Sequence, residues 1–162
     1  MKIKILFIPF FLFLTQIVKA EDFNVVTLQR DTVNLLEYVD SNKDFFVILF
    51  SWSYRCFDCF RDIVKDLDLL GKQEDLDYIF VCSVDDSSLN RRRQIETIEQ
   101  IKKDAKIYFD ITGRKNIFSR YKVDVTPAVI HIKNSKITFI SFDNFTKRNH
   151  QYYDILKELL EQ

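Results

Sequence analysis

Cysteine is scarce in this chain of 162 residues: only Cys56, Cys59 and Cys82 occur. Three is too few for a disulfide-stapled scaffold and is an odd number besides, so a structural disulfide framework is excluded. Excess charge of one sign is also lacking, with 24 basic against 24 acidic residues. A nucleic-acid binder needs a basic surplus for phosphate contacts, so that class is set aside and no nucleic-acid partner is expected. There is no repeat, low-complexity tract or linker to divide the chain. A long hydrophobic run is missing too. The apolar stretch from Ile5 to Val18 falls short of the roughly 20 residues of a membrane span, and Pro9 interrupts it.

That stretch follows Lys2 and Lys4 and ends in Val18-Lys19-Ala20 before Glu21-Asp22, the order of a secretory signal peptide. Cleavage after Ala20 is expected, with an uncleaved anchor as the alternative. No cysteine stands near the cut, so a lipoprotein is not. Removing the first 20 of 162 residues leaves 142, the size of one domain. The 24 basic residues lose Lys2, Lys4 and Lys19 with the signal, leaving 21 against 24 acidic and a formal charge near −3. The division expected is a signal peptide over 1–20 and one domain over 21–162.

Within that domain, Asp31-Thr32 and the spacing of Val33, Leu35, Leu36 and Val39 predict a short helix over 31–40. Phe45 to Phe50 is an unbroken apolar run, as in a central strand covered on both faces. Phe60, Ile63, Val64, Leu67 and Leu70 then mark one face of a helix, with Gly71 at its stop. Tyr78 to Val84 reads as a strand, and Asp85-Asp86-Ser87-Ser88 as caps of a helix to about Lys103. A short strand over 106–109, a short helix over 116–121, two strands at 127–132 and 136–142 joined by Lys133-Asn134-Ser135, and a last helix carrying Tyr152, Ile155, Leu156, Leu159 and Leu160 complete the order. Alternating strands and helices, then a hairpin and a closing helix, imply an α/β fold: a central mixed β-sheet flanked by helices on both faces.

Cys56-Phe57-Asp58-Cys59 sits at the junction of the central strand and its helix. Two intervening residues let the thiols close a small reducible ring, and such a pair in a strand–helix–strand context reads as a redox motif. The amides and dipole at the helix start favour a thiolate on Cys56, so Cys56 would attack and Cys59 resolve. A zinc half-site is the alternative, but Cys82, His131 and His150 stand at unhelpful spacing, and no metal is expected. No cofactor is called for beyond the Cys56–Cys59 pair. Arg55 would support the thiolate at the substrate-facing position, whereas Asp58 would oppose it. Trp52, Tyr54 and Phe57 suit an apolar docking rim, with core packing as the other account. Cys82 reads as a small buried hydrophobe. Arg91-Arg92-Arg93 reads as a solvated face in preference to a partner patch, and Asn144-Phe145-Thr146 as a glycosylation sequon if the source is eukaryotic.

The run Phe50 to Cys59, with Val125-Thr126-Pro127 far downstream, resembles the thioredoxin superfamily, specifically its exported, TlpA-like thiol:disulfide oxidoreductases. The likeness covers the element order of 31–160. It departs where Arg55 replaces the tryptophan usual before the first cysteine and where Phe57-Asp58 replaces Gly-Pro. It implies a thioredoxin fold and a cis peptide at Pro127 facing the cysteines, where the Thr126 backbone would pair with an extended substrate. It also implies a proton acceptor at Asp62, matching a glutamate at the same offset in several envelope reductases. The activity implied is exchange with protein thiols and disulfides in the periplasm or cell envelope. Within it the residues favour reduction over oxidation, because no histidine lies in the motif to stabilise the thiolate and Asp58 works against it. Other locations kept open are the membrane, through an N-terminal anchor, and a eukaryotic secretory lumen. A reductant in an oxidising compartment also needs a membrane-bound electron donor as partner. The competing expectation is a thioredoxin-fold adaptor or chaperone that binds extended chains without redox turnover.

Overall fold

The structure, a computed structural model, describes residues 23–37, 39, 43–53, 56–84, 88–111, 116–124, 126–134, 136–141 and 151–161. The expected signal segment, Tyr54, Arg55, the caps at 85–87, Val125, His150 and the sequon at Asn144 lie outside them.

The apolar run becomes β3 (Asp44–Phe50), which pairs in parallel with β4 (Leu76–Cys82) and antiparallel with β6 (Ala128–Lys133). With neighbours on both edges and side chains covered on both faces, every residue from Phe45 to Phe50 is buried, which is why the run needs no polar alternation. The sheet continues through β5 (Ile107–Asp110), parallel to β4, and β7 (Lys136–Ser141), antiparallel to β6. A hairpin of β1 (Asn24–Val26) and β2 (Thr32–Asn34) adds to β5, giving the order β2-β1-β5-β4-β3-β6-β7. The sheet is therefore mixed, as expected.

The two faces of β3 feed two cores. Phe46, Ile48 and Phe50 pack with α1 (Phe57–Leu70), Ile98 of α2 (Ser88–Ile101), and Tyr152, Leu156 and Leu159 of α4 (Gln151–Leu160). Phe45, Val47 and Leu49 pack on the other side with Ile117 and Phe118 of α3 (Ile117–Arg120), and with Phe23, Val25 and Leu35. Helices thus cover both faces. The strand at 107–110 and the helix at 117–120 fall where short elements were expected.

Residues 31–40 differ from the expected helix: Thr32–Asn34 form β2, and only Leu35–Glu37 make a 3-10 turn. The reason is tertiary pairing. Thr32 and Val33 are β-branched, Val33 sits opposite Val25, and the Leu35 N–H donates to the Phe23 carbonyl at 2.8 Å. The Asn34 side chain then accepts the Leu36 N–H at 3.1 Å, an Asx turn that diverts the chain from continuing the strand.

Gly71 does end α1, but with φ −64° it is right-handed. Its value is space: a Cβ there would lie 3.2 Å from the Leu67 carbonyl oxygen and 3.4 Å from Leu76 Cδ1. Asn134, with φ 49°, takes the left-handed position between Lys133 and Lys136, the closing pair of the β6–β7 hairpin.

Candidate active site

Parallel strands β3 and β4 both end at the edge where α1 and α2 begin, and the cysteines lie on that edge. Cys56 is the N-cap of α1 in extended conformation and half-buried; Cys59, in the first turn, is buried in the core beneath the sheet face. The two are joined as a disulfide with Cα atoms 5.3 Å apart. The Cys59 N–H donates to the Cys56 sulfur at 3.4 Å, so an amide that the helix cannot satisfy internally points at the sulfur. In the reduced state this amide and the positive end of α1 favour the Cys56 thiolate.

Asp58, inside the motif, is solvent-exposed and paired with Arg61 one turn on at 2.9 Å. The guanidinium offsets the carboxylate that would otherwise oppose a thiolate beside it. Arg55, the other charge expected here, lies outside the described residues.

Thr126 and Pro127 close over the same edge. The Cys56 N–H donates to the Thr126 carbonyl at 2.9 Å, so the peptide group that precedes Pro127 lies directly against Cys56; that peptide is cis. Thr126 is fully buried, and its hydroxyl accepts from the Ser51 N–H and donates to the Ser51 carbonyl, both at 3.1 Å. A residue 75 positions away in sequence thus fastens the end of β3 to the start of β6. The Thr126 carbonyl, part of the backbone expected to pair with a substrate strand, accepts from the Cys56 N–H, and the Thr126 hydroxyl ties the two site loops together.

The aromatic residues form a continuous set. Phe57, 37% exposed, meets the edge of Trp52 with ring centroids 5.2 Å apart and leans on Phe50 at 6.2 Å; Phe50 leads on to Phe60 at 4.6 Å. Trp52 therefore packs on Phe57, the residue that follows Cys56, while Phe50 and Phe60 root the pair in the core. Arg93 of α2 places its guanidinium carbon 5.6 Å from the Trp52 ring centre. Arg93 is exposed, as expected of a solvated face, and its contact with Trp52 joins α2 to the loop after β3, which no local spacing signals. Arg92 matches the solvated expectation, pairing with Glu96 at 2.8 Å.

Asp62 lies one turn after Cys59 and is solvent-exposed, whereas Cys59 faces the core. Its charge is felt by Tyr152 of α4, whose phenol is pushed up chiefly by burial and further by Asp62. Cys82 is fully buried at the end of β4 and outside the disulfide.

His131, which has no partner in its own stretch of sequence, meets one across the sheet. Its Nε2 lies 2.6 Å from Asp44 Oδ1, and Lys133 holds the other carboxylate oxygen at 3.2 Å. This cluster sits at the opposite end of β3, about 20 Å from the cysteines at strand rise, and among the described residues no nucleophile joins it. Among the described residues no group of three or more His, Cys, Asp or Glu could hold a metal, and no helix is long and apolar enough to cross a membrane.

The fold and the paired cysteines together define the class: a thioredoxin-like α/β protein with a disulfide at the head of its first long helix. No family model and no curated protein matches the chain. Solved structures do. A thioredoxin-like protein from Porphyromonas gingivalis is 14% identical with a TM-score of 0.60, covering 86% of this chain and 88% of its own. A secreted disulfide oxidoreductase of Mycobacterium tuberculosis, homologous to E. coli DsbE, is 9% identical with a TM-score of 0.60, covering 87% and 96%. The exposed lipoprotein thioredoxin Etrx1 of Streptococcus pneumoniae is 19% identical with a TM-score of 0.55, covering 87% and 99%. At such identities the likeness shows the fold, which is the thioredoxin fold.

Proposed function

We propose that this protein is a thiol:disulfide oxidoreductase of the cell envelope that reduces or exchanges disulfides in other proteins. The observation that carries the reading is the asymmetry of the Cys56–Cys59 pair: one sulfur half-exposed at the α1 N-cap, the other buried behind it. In the reduced protein the Cys56 thiolate attacks one sulfur of a substrate disulfide. A Cys56–substrate bond forms, the substrate bond breaks, and the leaving sulfur departs as a thiolate that takes a proton from solvent. Cys59 then gives up its proton and attacks the Cys56 sulfur, closing the disulfide and releasing the second substrate thiolate. The substrate gains two electrons and the chain loses two. A membrane-bound donor restores the thiols.

In this scheme Asp62, open to water and one turn from Cys59, accepts the Cys59 proton through solvent. Trp52, Phe57 and Arg55 form the substrate-facing rim, and Pro127, held against Cys56 by the Thr126 carbonyl, shields the sulfurs from one side. Export is supported by Lys2, Lys4 and the apolar run that follows. The secreted and surface-exposed character named for two of the similar structures agrees with it.

The test is turnover. The reduced chain, mixed with a peptide containing a disulfide, should release two peptide thiols for each Cys56–Cys59 disulfide formed, and dithiothreitol should make the reaction catalytic. Peptide binding without thiol release would instead make the protein an adaptor of extended chains.

A further inference from the structure

Phe57, exposed and next to Cys56 in the chain, carries the edge of Trp52 at 5.2 Å between ring centroids, and Trp52 carries the Arg93 guanidinium at 5.6 Å. Two such contacts reach about as far as three residues of an extended chain, at roughly 3.3 Å per residue. A substrate strand whose cysteine meets Cys56 therefore brings its flanking residues within range of Arg93. Leu89, 56% exposed, stands one turn before Arg93 on the same side of α2.

The charge of Arg93 is uncommitted. Arg61 is taken up by Asp58 at 2.9 Å, Arg92 by Glu96 at 2.8 Å and Lys102 by Asp68 at 2.6 Å. Arg93 is exposed and meets no carboxylate among the described residues; its contact is the indole. A guanidinium resting on an aromatic face keeps N–H donors for the two oxygens of a carboxylate. The indole also restrains the long side chain in advance, so less freedom is lost when a carboxylate arrives. Arg91, two residues earlier, lies on another side of the helix. One open cation among Trp52, Phe57 and Leu89 suits a single acidic side chain with apolar neighbours, whereas a polyanion is held by several cations together.

We propose that Arg93 is a specificity-determining residue that selects substrate proteins with an acidic side chain within about three residues of the reactive cysteine. The inference rests on the reading that Cys56–Cys59 exchanges with protein disulfides, and it adds which of them react fastest. The carboxylate pairs with the guanidinium while Cys56 attacks; the bonds made and broken are those already described.

The test uses nonapeptides of Gly and Ser with a central cysteine, dimerised through it, and with Glu, Gln or Lys three positions to either side. At about 20 mM salt the reduced chain should exchange with the Glu dimer about 5-fold faster than with the Gln dimer, the upper end for an exposed ion pair, and the difference should shrink at about 300 mM. Arg93→Gln should equalise the two while leaving the Gln rate in place, and Arg93→Glu should turn the preference towards Lys. Arg92→Gln removes the same charge from α2 away from the indole and should keep the preference. Equal Glu and Gln rates in the wild type would overturn the proposal, as would a preference that survives Arg93→Gln or one that Arg92→Gln abolishes equally. A loss shared by all three peptides in Arg93→Gln would make Arg93 a support for Trp52 and overturn it too. Binding is read separately on the oxidised chain, from the emission of Trp52, the single tryptophan, with peptides that carry serine in place of cysteine. A Glu preference there that needs Arg93, with no thiol exchange by any dimer, counts against redox turnover and upholds the selection. Exchange without preference in either readout does the reverse.

Discussion

A sulfur at the cap of a helix and a sulfur in its first turn differ in kind, although both are cysteine. Cys56 has solvent on one side and the Cys59 amide on the other; Cys59 packs with Phe46, Phe50 and Phe60 in the same core. Attack and resolution follow from that difference. A Cys59→Ser chain should accumulate mixed disulfides on Cys56, visible as a mass increase of the substrate thiol less two hydrogens; accumulation in Cys56→Ser instead would reverse the two roles. Asp62→Asn should slow decay of the mixed disulfide by about 10-fold near neutral pH, below the usual scale for a positioned base because water can replace an exposed carboxylate. The same substitution removes a charge that pushes Tyr152 up, so the phenol should titrate lower, read by its ultraviolet absorbance. Unaltered decay from pH 5 to 9 would leave Asp62 a surface acid. Cys56 and Cys59 were legible because two intervening residues at a strand–helix junction bring the sulfurs together whatever the rest of the chain does. Arg93 and the His131–Asp44 pair were not, since each owes its partner to strands or helices that become neighbours only on folding.

Elements were legible where one pattern dominated and obscure where two competed. In α1 the buried Phe60, Ile63, Val64, Leu67 and Leu70 repeat at helical spacing with no strand-like alternative. In β3 an unbroken apolar run allows only a doubly covered strand at that length. At Thr32–Leu36 the spacing admits both readings, and the outcome turned on an edge offered by β1, whose partner strand β5 lies more than 80 residues away in sequence. Propensity is a weak guide when an edge is available. The loops that frame the disulfide show the same dependence on distant partners. The Thr126 hydroxyl satisfies both backbone groups of Ser51, and the Thr126 carbonyl satisfies the Cys56 amide. Thr126→Val keeps the volume and removes the hydroxyl, leaving a buried Ser51 N–H unsatisfied, at a cost of about 1 to 3 kcal/mol. Urea unfolding of the oxidised protein should show that loss, and Thr126→Ser should recover most of it. Exchange by the valine variant should slow as well, because the loop that carries Cys56 loses its tie. A valine variant with unchanged midpoint would mean that the Ser51 groups find other partners.

At the scale of the whole molecule, the length of β3 separates the disulfide at its end from the ionic Asp44 cluster at its start. Asp44 and His131 come from β3 and β6, while Lys133 both reaches Asp44 and donates to the Leu160 carbonyl of α4 at 2.7 Å. The cluster thus ties the last helix to the centre of the sheet, with the His131 ring stacked on Phe46 at 4.6 Å. Burial holds the His131 pKa below its usual value; the hydrogen bond and charge of Asp44 pull it up, and Lys133 and Lys136 push it down again. The folded state therefore binds a proton at this ring less readily than the unfolded state. Below the unfolded value of about 6.5 the unfolded chain takes up the proton first, so stability is fully present above that pH and declines as pH falls towards the folded value. Replacing the ring tests the sign. His131→Asn retains a donor for Asp44 but cannot titrate, so its urea midpoint should change less between pH 7 and pH 5 than that of the wild type, even if it is lower at pH 7. A wild-type midpoint that rises on acidification, with the rise lost in the variant, would mean that the Asp44 attraction outweighs burial. Peptide disulfide reduction at pH 7 reads the other end of β3, and it should be the same in both proteins, since Asp44, His131 and Lys133 cluster at the start of β3 and Cys56 follows its end.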